Sequence, residues 1–277
     1  MRAAVIQMNS GRDVDGNLTA AHQLLTEASS QGVKLAVLPE MFACIGVKNQ
    51  FSLAQERFIE QDVLGVIATW ARQFDMYIVA GSMPLMSDSY NEAEKVLAAC
   101  LVFSPDGRLL EQYNKIHLFD VDVSDEKGRY RESDTFLCGE NPKVIDIHGH
   151  KLGLSICYDL RFPELYQVYQ NQECELITVP SAFTYETGRI HWEILLRGRA
   201  IETQSFVLAA NQVGVHEDGR RTWGQSMIIG PNGEVLAQAD NETVQVVIAD
   251  LDFSALEQCR QKMPITQHKK IILGNKS

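Results

Sequence analysis

The N-terminal half of this chain alternates short apolar runs with longer amphipathic stretches, and this order restricts the fold more than any other feature. Apolar runs typical of buried strands occupy residues 3–8, 35–38 and 77–80. Helical periodicity covers residues 17–30, which end before Gly32, and residues 53–74. The order strand, helix, strand, helix, strand predicts a sheet that is covered by helices.

The second half adds hairpins to this alternation. A turn at 104–108 joins predicted strands 96–103 and 109–113, and a turn around Pro231 joins two further strands. Between them, the charged segment Asp120 to Asp134 predicts a surface loop. The strands on either side of Pro231 are 227–229 and 235–237. The remaining predicted strands are 144–147, 151–156, 176–179, 206–210 and 244–249, and the remaining helices are 190–203 and 253–261. No linker interrupts the series, so residues 1–277 are predicted to form a single α/β domain with mixed sheets.

Charge and composition exclude several classes of protein. The formal net charge of −11 argues against nucleic acid and anionic membranes as partners, because both would be repelled. No apolar run approaches the roughly 20 residues that cross a bilayer, and the N-terminus becomes polar too early for a signal peptide. Six scattered cysteines form neither a disulfide framework nor a metal motif. We therefore expect a cytoplasmic protein without a metal.

Cys157 has the most informative surroundings of the six cysteines. It follows the apolar run 152–156 and precedes a polar segment that contains Pro163, which predicts a turn from a strand into a helix. Such a position lifts the side chain toward solvent, and the N–H groups of a following helix would favour a thiolate. We interpret Cys157 as a nucleophile; the other cysteines are predicted to be core or inert surface residues, namely Cys44, Cys100, Cys138, Cys174 and Cys259.

Two further strand ends carry reactive side chains. Glu40 follows the strand 35–38, and Lys115 follows the strand 109–113. Catalytic groups collect at strand ends in α/β sheets, because the sheet holds them rigidly while the loops leave room for a ligand. Either residue alone would be an ordinary surface charge. Together with Cys157, they predict a pocket that contains a carboxylate, an ammonium and a thiol.

These three segments carry a resemblance to a known family. The motifs LPEMF at 38–42, NKIHLFD at 114–120 and ICYDLRFPE at 156–164 resemble the signature segments of the nitrilase, or carbon–nitrogen hydrolase, superfamily, in the same order. The resemblance extends over nearly the whole chain, through PSAF at 180–183, HWE at 191–193, RAIETQ at 199–204 and MP at 263–264.

The resemblance implies a fold and a site. The fold would be a four-layer α–β–β–α sandwich, assembled as a homodimer or larger homo-oligomer, with no cofactor. The site would contain Glu40, Lys115 and Cys157, with Glu132 as a second glutamate beside the lysine. Phe183 and Thr187 would line the acyl pocket.

Elementary chemistry supports these roles. Amide carbon is a poor electrophile, so a thioester formed on Cys157 would divide hydrolysis into two easier steps, with Glu40 as the base. Lys115 and the backbone N–H of Tyr158 would stabilise the oxyanion. Arg161 either clamps a substrate carboxylate or pairs with Asp159 or Glu164 to fix the turn.

Within the superfamily, the chain most resembles the branch that contains deaminated glutathione amidases and omega-amidases. This implies a small amide substrate that carries a carboxylate. Deaminated glutathione is the preferred candidate, and 2-oxoglutaramate or 2-oxosuccinamate is the alternative. A nitrile substrate is less favoured than either. Two other hypotheses stay open. One is a papain-type hydrolase with His117 or His191 as the base, and the other is a non-enzymatic scaffold that keeps the fold.

Overall fold

The computed structural model describes residues 1–87, 94–123 and 128–271. The elements of the first half are β1 (Arg2–Gln7), α1 (Val14–Ser30), β2 (Leu35–Val37), α2 (Gln50–Leu53), a π-helical segment (Ala54–Glu60), α3 (Val63–Phe74), β3 (Tyr77–Leu85), β4 (Val96–Phe103) and β5 (Leu109–Asn114). The next are β6 (Asp120–Asp122), β7 (Arg129–Arg131), a 3₁₀ turn (Glu132–Asp134), β8 (Phe136–Leu137), β9 (Val144–Ile147) and β10 (His150–Leu154). A 3₁₀ turn (Cys157–Arg161) then leads to α4 (Pro163–Asn171), β11 (Leu176–Thr178), α5 (Tyr185–Thr203), β12 (Phe206–Ala209), β13 (Val213–Val215), β14 (Arg221–Trp223), β15 (Met227–Ile229), β16 (Val235–Gln238), β17 (Gln245–Asp250), α6 (Phe253–Lys262) and α7 (Ile265–His268).

Two mixed sheets form the centre of the fold. The first has the strand order β17-β1-β2-β3-β4-β5, with β8 paired to β4, and the second has the order β16-β15-β12-β11-β10-β9. Strands β1, β2 and β3 are parallel to one another, as are β10, β11 and β12. Parallel strands are usually buried on both faces, which explains why these runs are almost continuously apolar.

Side-chain alternation along the strands separates the layers. Val5 and Val37 lie in one buried cluster with Leu152 and Leu176 of the second sheet, so these faces of the two sheets pack together. The neighbouring residue Ile6 lies in another cluster with apolar side chains of α1 and α3. On the far side, α4 and α5 pack against the second sheet within the first cluster. The result is the expected four-layer α–β–β–α sandwich.

Two of the predicted helices differ clearly from the observed ones. The stretch predicted as one helix over 53–74 is interrupted after the π-helical segment, where Asp62 adopts a left-handed φ of +50° and caps the Gly65 N–H that opens α3. Helix α5 begins at Tyr185 instead of 190, and Gly188 in its first turn packs closely against Trp223. Apolar periodicity alone does not detect either capping or such a contact.

The charged segment 120–134 is more regular than predicted. Strands β6 and β7 pair as a short antiparallel ribbon, and a 3₁₀ turn follows that begins at Glu132. None of the helices in the three described ranges has a stretch long and apolar enough to cross a membrane.

Candidate active site

Three strand ends meet at one buried point between the sheets. Lys115, which directly follows β5, places its Nζ 2.8 Å from Oε1 of Glu40 and 2.9 Å from the carboxylate of Glu132. The thiol of Cys157 lies close enough to both groups that the charges of Glu40 and Lys115 act on its pKa. Glu40, Lys115 and Cys157 are only 4%, 1% and 8% exposed. The predicted carboxylate, ammonium and thiol therefore lie together.

Backbone contacts fix the Glu40 carboxylate in this position. Its Oε2 accepts a 2.8 Å hydrogen bond from the N–H of Ala182, while its main-chain oxygen accepts one from Gln212. The segment before it passes so close to β3 that a Cβ at Gly81 would lie 2.2 Å from the carbonyl oxygen of Pro39. Only glycine permits this approach. One Glu40 oxygen is thus held by the second sheet and the other by Lys115.

Electrostatics keeps Lys115 charged. Burial alone would lower the pKa of Lys115, but the carboxylates of Glu132 and Glu40 outweigh burial and hold this pKa well above its usual range. Burial raises the pKa of Glu132, and the charge of Glu40 adds to this rise. Glu132 is also held by a 2.6 Å hydrogen bond from the N–H of Phe119. The ammonium is therefore a fixed positive charge in a site that excludes most water.

The surroundings of Cys157 correct the sequence prediction. The residue opens a 3₁₀ turn, with a left-handed φ of +46°, and its N–H donates to the carbonyl of Pro180 at 2.9 Å. It is buried and not lifted toward solvent. Burial raises the pKa of Cys157 well above its usual range, and the negative charge of Glu40 raises it further against the opposing effect of Lys115. At neutral pH the resting group is a thiol that needs a base.

Asp159 joins the cysteine turn to the lysine strand, a role that the sequence analysis missed. Its carboxylate is completely buried and accepts hydrogen bonds from the N–H of Ile156 at 2.9 Å and the hydroxyl of Tyr113 at 2.7 Å. It also accepts from the backbone N–H of His117 at 3.0 Å, and it contacts the His117 ring. Tyr113 and His117 flank Lys115, so Asp159 fixes the position of Cys157 relative to the ammonium.

The other predicted site residues line the same cavity. Among the described residues, the backbone N–H of Tyr158 has no hydrogen-bond partner, so it is available to a ligand. Arg161 pairs with neither Asp159 nor Glu164. The alternative hypothesis, that Arg161 fixes the turn through one of these pairs, is therefore wrong. Its guanidinium donates to Nδ1 of His191 at 3.2 Å and lies 5.1 Å from the centre of the Phe183 ring. Thr187 completes this wall.

The cavity has a volume of about 650 Å³ and carries a positive charge. Seven cationic and four acidic side chains of the described residues line it: Arg12, Lys48, Lys115, Arg129, Arg131, Arg161 and Arg220, and Glu40, Glu132, Asp134 and Asp218. The chain as a whole has a net charge of −11, so the cavity is a positively charged region of an acidic protein. The arrangement favours an anionic ligand.

Histidine is absent from the described lining of this cavity. The ring of His117 stacks on Phe162 at 3.7 Å and binds Asp159. Burial and the charge of Arg161 lower the pKa of His191, which accepts a hydrogen bond from that arginine. Both rings are therefore engaged elsewhere, and this arrangement does not favour a cysteine–histidine pair.

Comparisons with known proteins agree with the motifs. The family model described as carbon-nitrogen hydrolase matches residues 2–261. The deaminated glutathione amidase of Yersinia enterocolitica is 38% identical over 97% of this chain and 93% of its own length. The omega-amidase NIT2 of Bos taurus is 38% identical over 97% of this chain and 95% of its own length. The crystal structure of Saccharomyces cerevisiae Nit3, a member of the nitrilase superfamily, superposes with a TM-score of 0.85 at 28% identity and covers 98% of this chain and 97% of that one. Since the matches extend over almost its entire length, this chain belongs to the carbon–nitrogen hydrolase family and is an enzyme that hydrolyses carbon–nitrogen bonds other than peptide bonds.

Proposed function

We propose that this enzyme is an amidase that cleaves an amide of a 2-oxo acid through a thioester on Cys157, with deaminated glutathione as its substrate. The observation that carries the proposal is the buried contact between Glu40 and Lys115 beside the thiol, at the base of a cavity rich in cations. Two of the relatives described above are named for amidases of this kind, deaminated glutathione amidase and omega-amidase.

Acylation begins with the neutral thiol. Glu40 accepts the proton of Cys157 while the sulfur attacks the amide carbon, so that a carbon–sulfur bond forms and the carbonyl electrons move to the oxygen. The protonated Glu40 then gives its proton to the amide nitrogen, the carbon–nitrogen bond breaks, and the amine leaves. Proton transfer of this kind contributes about 10²–10⁴-fold to the rate.

Deacylation uses the same groups in reverse. Glu40 removes a proton from a water molecule, the hydroxide attacks the thioester, and the carbon–sulfur bond breaks. The departing thiolate takes the proton back from Glu40, which restores the thiol and the carboxylate and releases the acid. One carboxylate can serve both half-reactions because hydrogen bonds from Ala182 and Lys115 hold its two oxygens in place.

Two donors are available to the oxyanion of each tetrahedral intermediate. Lys115 supplies a fixed positive charge, and the unpaired N–H of Tyr158 supplies a second hydrogen bond. Removal of one such donor typically lowers kcat by about 10²–10³-fold. Glu132 acts as a positioning residue, because it holds the ammonium beside Glu40.

The acyl part of the substrate occupies the wall made by Arg161, Phe183 and Thr187. The guanidinium of Arg161 would clamp the 2-oxo acid carboxylate through charge-assisted hydrogen bonds. Because its partner His191 is a neutral acceptor, Arg161 keeps donors and its full charge for the substrate. A terminal carboxylate on the acyl chain is therefore part of the proposed recognition.

Amine or ammonia release from a panel of substrates tests the proposal. We expect the highest kcat/KM for deaminated glutathione, followed by 2-oxoglutaramate, with N-carbamoyl amino acids and simple nitriles far behind. A higher value for 2-oxoglutaramate would assign the enzyme to the omega-amidase alternative. Preference for nitriles or carbamoyl compounds would contradict the proposal.

Histidine variants separate this mechanism from a papain-type one. We expect His191→Ala and His117→Gln to keep kcat within about tenfold of the wild type, because Glu40 supplies the base. His117→Gln should show the larger loss, since that side chain contacts Asp159. A fall of about 10³-fold or more in kcat for either variant, with an unchanged melting temperature, would instead favour a histidine base.

We further propose that the enzyme assembles as a homo-oligomer through the outer face of α5. Ile190, Ile194 and Ile201 are each more than half exposed, and their spacing of four and seven positions places them on one face of the helix. A second copy of the chain would cover this stripe.

Light scattering tests this interface. Wild-type protein should have the mass of at least two chains, and Ile194→Lys should shift it toward the mass of one. Ile59→Lys, which changes an isoleucine of similar exposure outside α5, should leave the mass unaltered. A wild-type mass of one chain would refute the assembly.

The cytoplasm is the compartment that we propose. All six cysteines lie in the described ranges and all are unpaired, although the chain has enough of them for three disulfides. Unpaired thiols are the rule in reducing compartments.

A further inference from the structure

The cavity extends well beyond the wall that we assign to the acyl group. Its volume of about 650 Å³ is typical of sites for much larger ligands than a small primary amide. Another wall of the cavity is lined by Arg12, by Gly46, Val47, Lys48 and Gln50, and by Asp218 and Arg220. These are contiguous, because Arg12 donates to the carbonyl of Gly46 at 3.1 Å and a Cβ at Gly46 would lie 2.9 Å from the Cβ of Asp218.

Arg220 on this wall is a poorly paired, largely buried cation. Its side chain is 16% exposed, and the nearest carboxylate oxygen in the described part of the chain, on Asp218, is 3.6 Å away. Its Nη1 reaches only the sulfur of Met41 at 3.6 Å, and its buried Nε has no hydrogen-bond partner among the described residues. A guanidinium has five N–H donors and prefers bidentate carboxylates. Arg220 therefore has unused capacity to bind an anion in the cavity.

Neighbouring groups reinforce this capacity. Arg12 and Lys48 line the same wall, while Asp218 offsets only one of these charges. Gln50 is 4% exposed and also lines the cavity, and its Oε1 has no partner within the described ranges. The wall thus offers several donors for a carboxylate and one acceptor for an N–H group, which is the pattern of a peptide-like amine.

The position of Arg220 relative to the reacting groups indicates which part of the substrate it meets. Arg220 contacts Met41, the residue after Glu40, and Glu40 is the group that gives its proton to the departing amine. Arg161 instead contacts Tyr158 and Phe183 on the cysteine side. The two arginines therefore adjoin different segments of the site, Arg220 the segment that carries Glu40 and Arg161 the segment that carries Cys157.

We propose that Arg220, supported by Arg12, forms a second anion subsite that binds the carboxylate of the departing amine. The preferred substrates would then be 2-oxo acid amides of amino acids or short peptides, with one carboxylate at Arg161 and another at Arg220. This inference rests on the proposed function, and it makes the leaving group a determinant of specificity.

A matched pair of substrates tests the subsite in the wild-type enzyme. Both contain the 2-oxoglutaryl group in amide linkage, one to glycylglycine and the other to glycylglycinamide, so they differ only in the charge at the far end. We expect kcat/KM to be about 10- to 100-fold higher for the acid than for the carboxamide. Equal values would overturn the subsite alone, whereas failure to cleave either amide would overturn the proposed function.

Variants then assign the preference to a residue. Arg220→Gln should bring the ratio of the two kcat/KM values close to one, and Arg220→Lys should retain part of it. Arg221→Gln is the control, because Arg221 stacks on Tyr185 outside the cavity lining and should keep the wild-type ratio. A ratio that survives in a folded Arg220→Gln protein would refute the assignment to Arg220.

Discussion

Replacement of Cys157 by alanine should lower kcat by about 10⁴-fold or more while the protein stays folded. No thioester can form without the sulfur, and neither Glu40 nor Lys115 can replace it as the nucleophile. The smaller side chain leaves the N–H contact of residue 157 with Pro180 intact, so little structural change is expected. Amine release under saturating substrate and the melting temperature are the two measurements.

Cys138→Ala is the matched control for this experiment. Cys138 is exposed and lies outside the cavity lining, so the variant should keep wild-type kcat. Mass spectrometry of acid-quenched wild-type enzyme should detect an acyl adduct that is absent from Cys157→Ala. If the alanine variant kept an appreciable fraction of wild-type turnover, Cys157 would not be the nucleophile.

Replacement of Glu40 by glutamine should have two opposite effects. We expect kcat to fall by about 10²–10⁴-fold, because the amide can neither accept the thiol proton nor pass it to the amine. The pKa of Cys157 should fall at the same time, because the negative charge of Glu40 raises it, whereas the positive charge of Lys115 lowers it. The variant would thus hold more thiolate at neutral pH and yet turn over more slowly.

The thiolate absorbance measured against pH separates these two effects. Its midpoint should lie at lower pH in Glu40→Gln than in the wild type, and the difference spectrum against Cys157→Ala isolates the relevant thiol. Glu27→Gln, a carboxylate remote from the cavity lining, should change neither the midpoint nor kcat. An unchanged midpoint would contradict the close coupling of Glu40 and Cys157.

The sequence predicts the layers of the fold well because buried positions are occupied by apolar residues, whose spacing distinguishes strands from helices. Strands β1, β2 and β3 are almost entirely buried and therefore mostly apolar, while α1 and α3 show helical periodicity. The convergence of Glu40, Lys115 and Cys157 follows from their positions at strand ends. The single-domain organisation of residues 1–277 stays a prediction.

The ionisation of Cys157 was predicted in the wrong direction for a physical reason. The prediction used only the local turn and the expected dipole of the next helix. Burial and the carboxylate of Glu40, which comes from a distant part of the chain, dominate instead. A protonation state depends on everything that surrounds a group, and the residues nearby in sequence are only a part of this.

Asp159 and Arg220 were missed because their roles depend on distant partners. Asp159 stands beside Cys157 in the sequence, but its function lies in its contacts with Tyr113 and His117. Arg220 follows a glycine in a polar turn, where arginine is usually a solvated surface residue. Its enclosure by Met41, Tyr130 and Asp218 appears only in three dimensions.

The proposed reactive centre spans the seam between the sheets. Glu40 and Lys115 extend from the first sheet, whereas Cys157 and the Ala182 amide extend from the second, and Asp159 joins the two sides. Neither half of the chain therefore carries a complete set of groups by itself. Turnover therefore depends on how well the two sheets pack against each other. We expect activity to be the last property regained on refolding and the first lost when this packing is weakened.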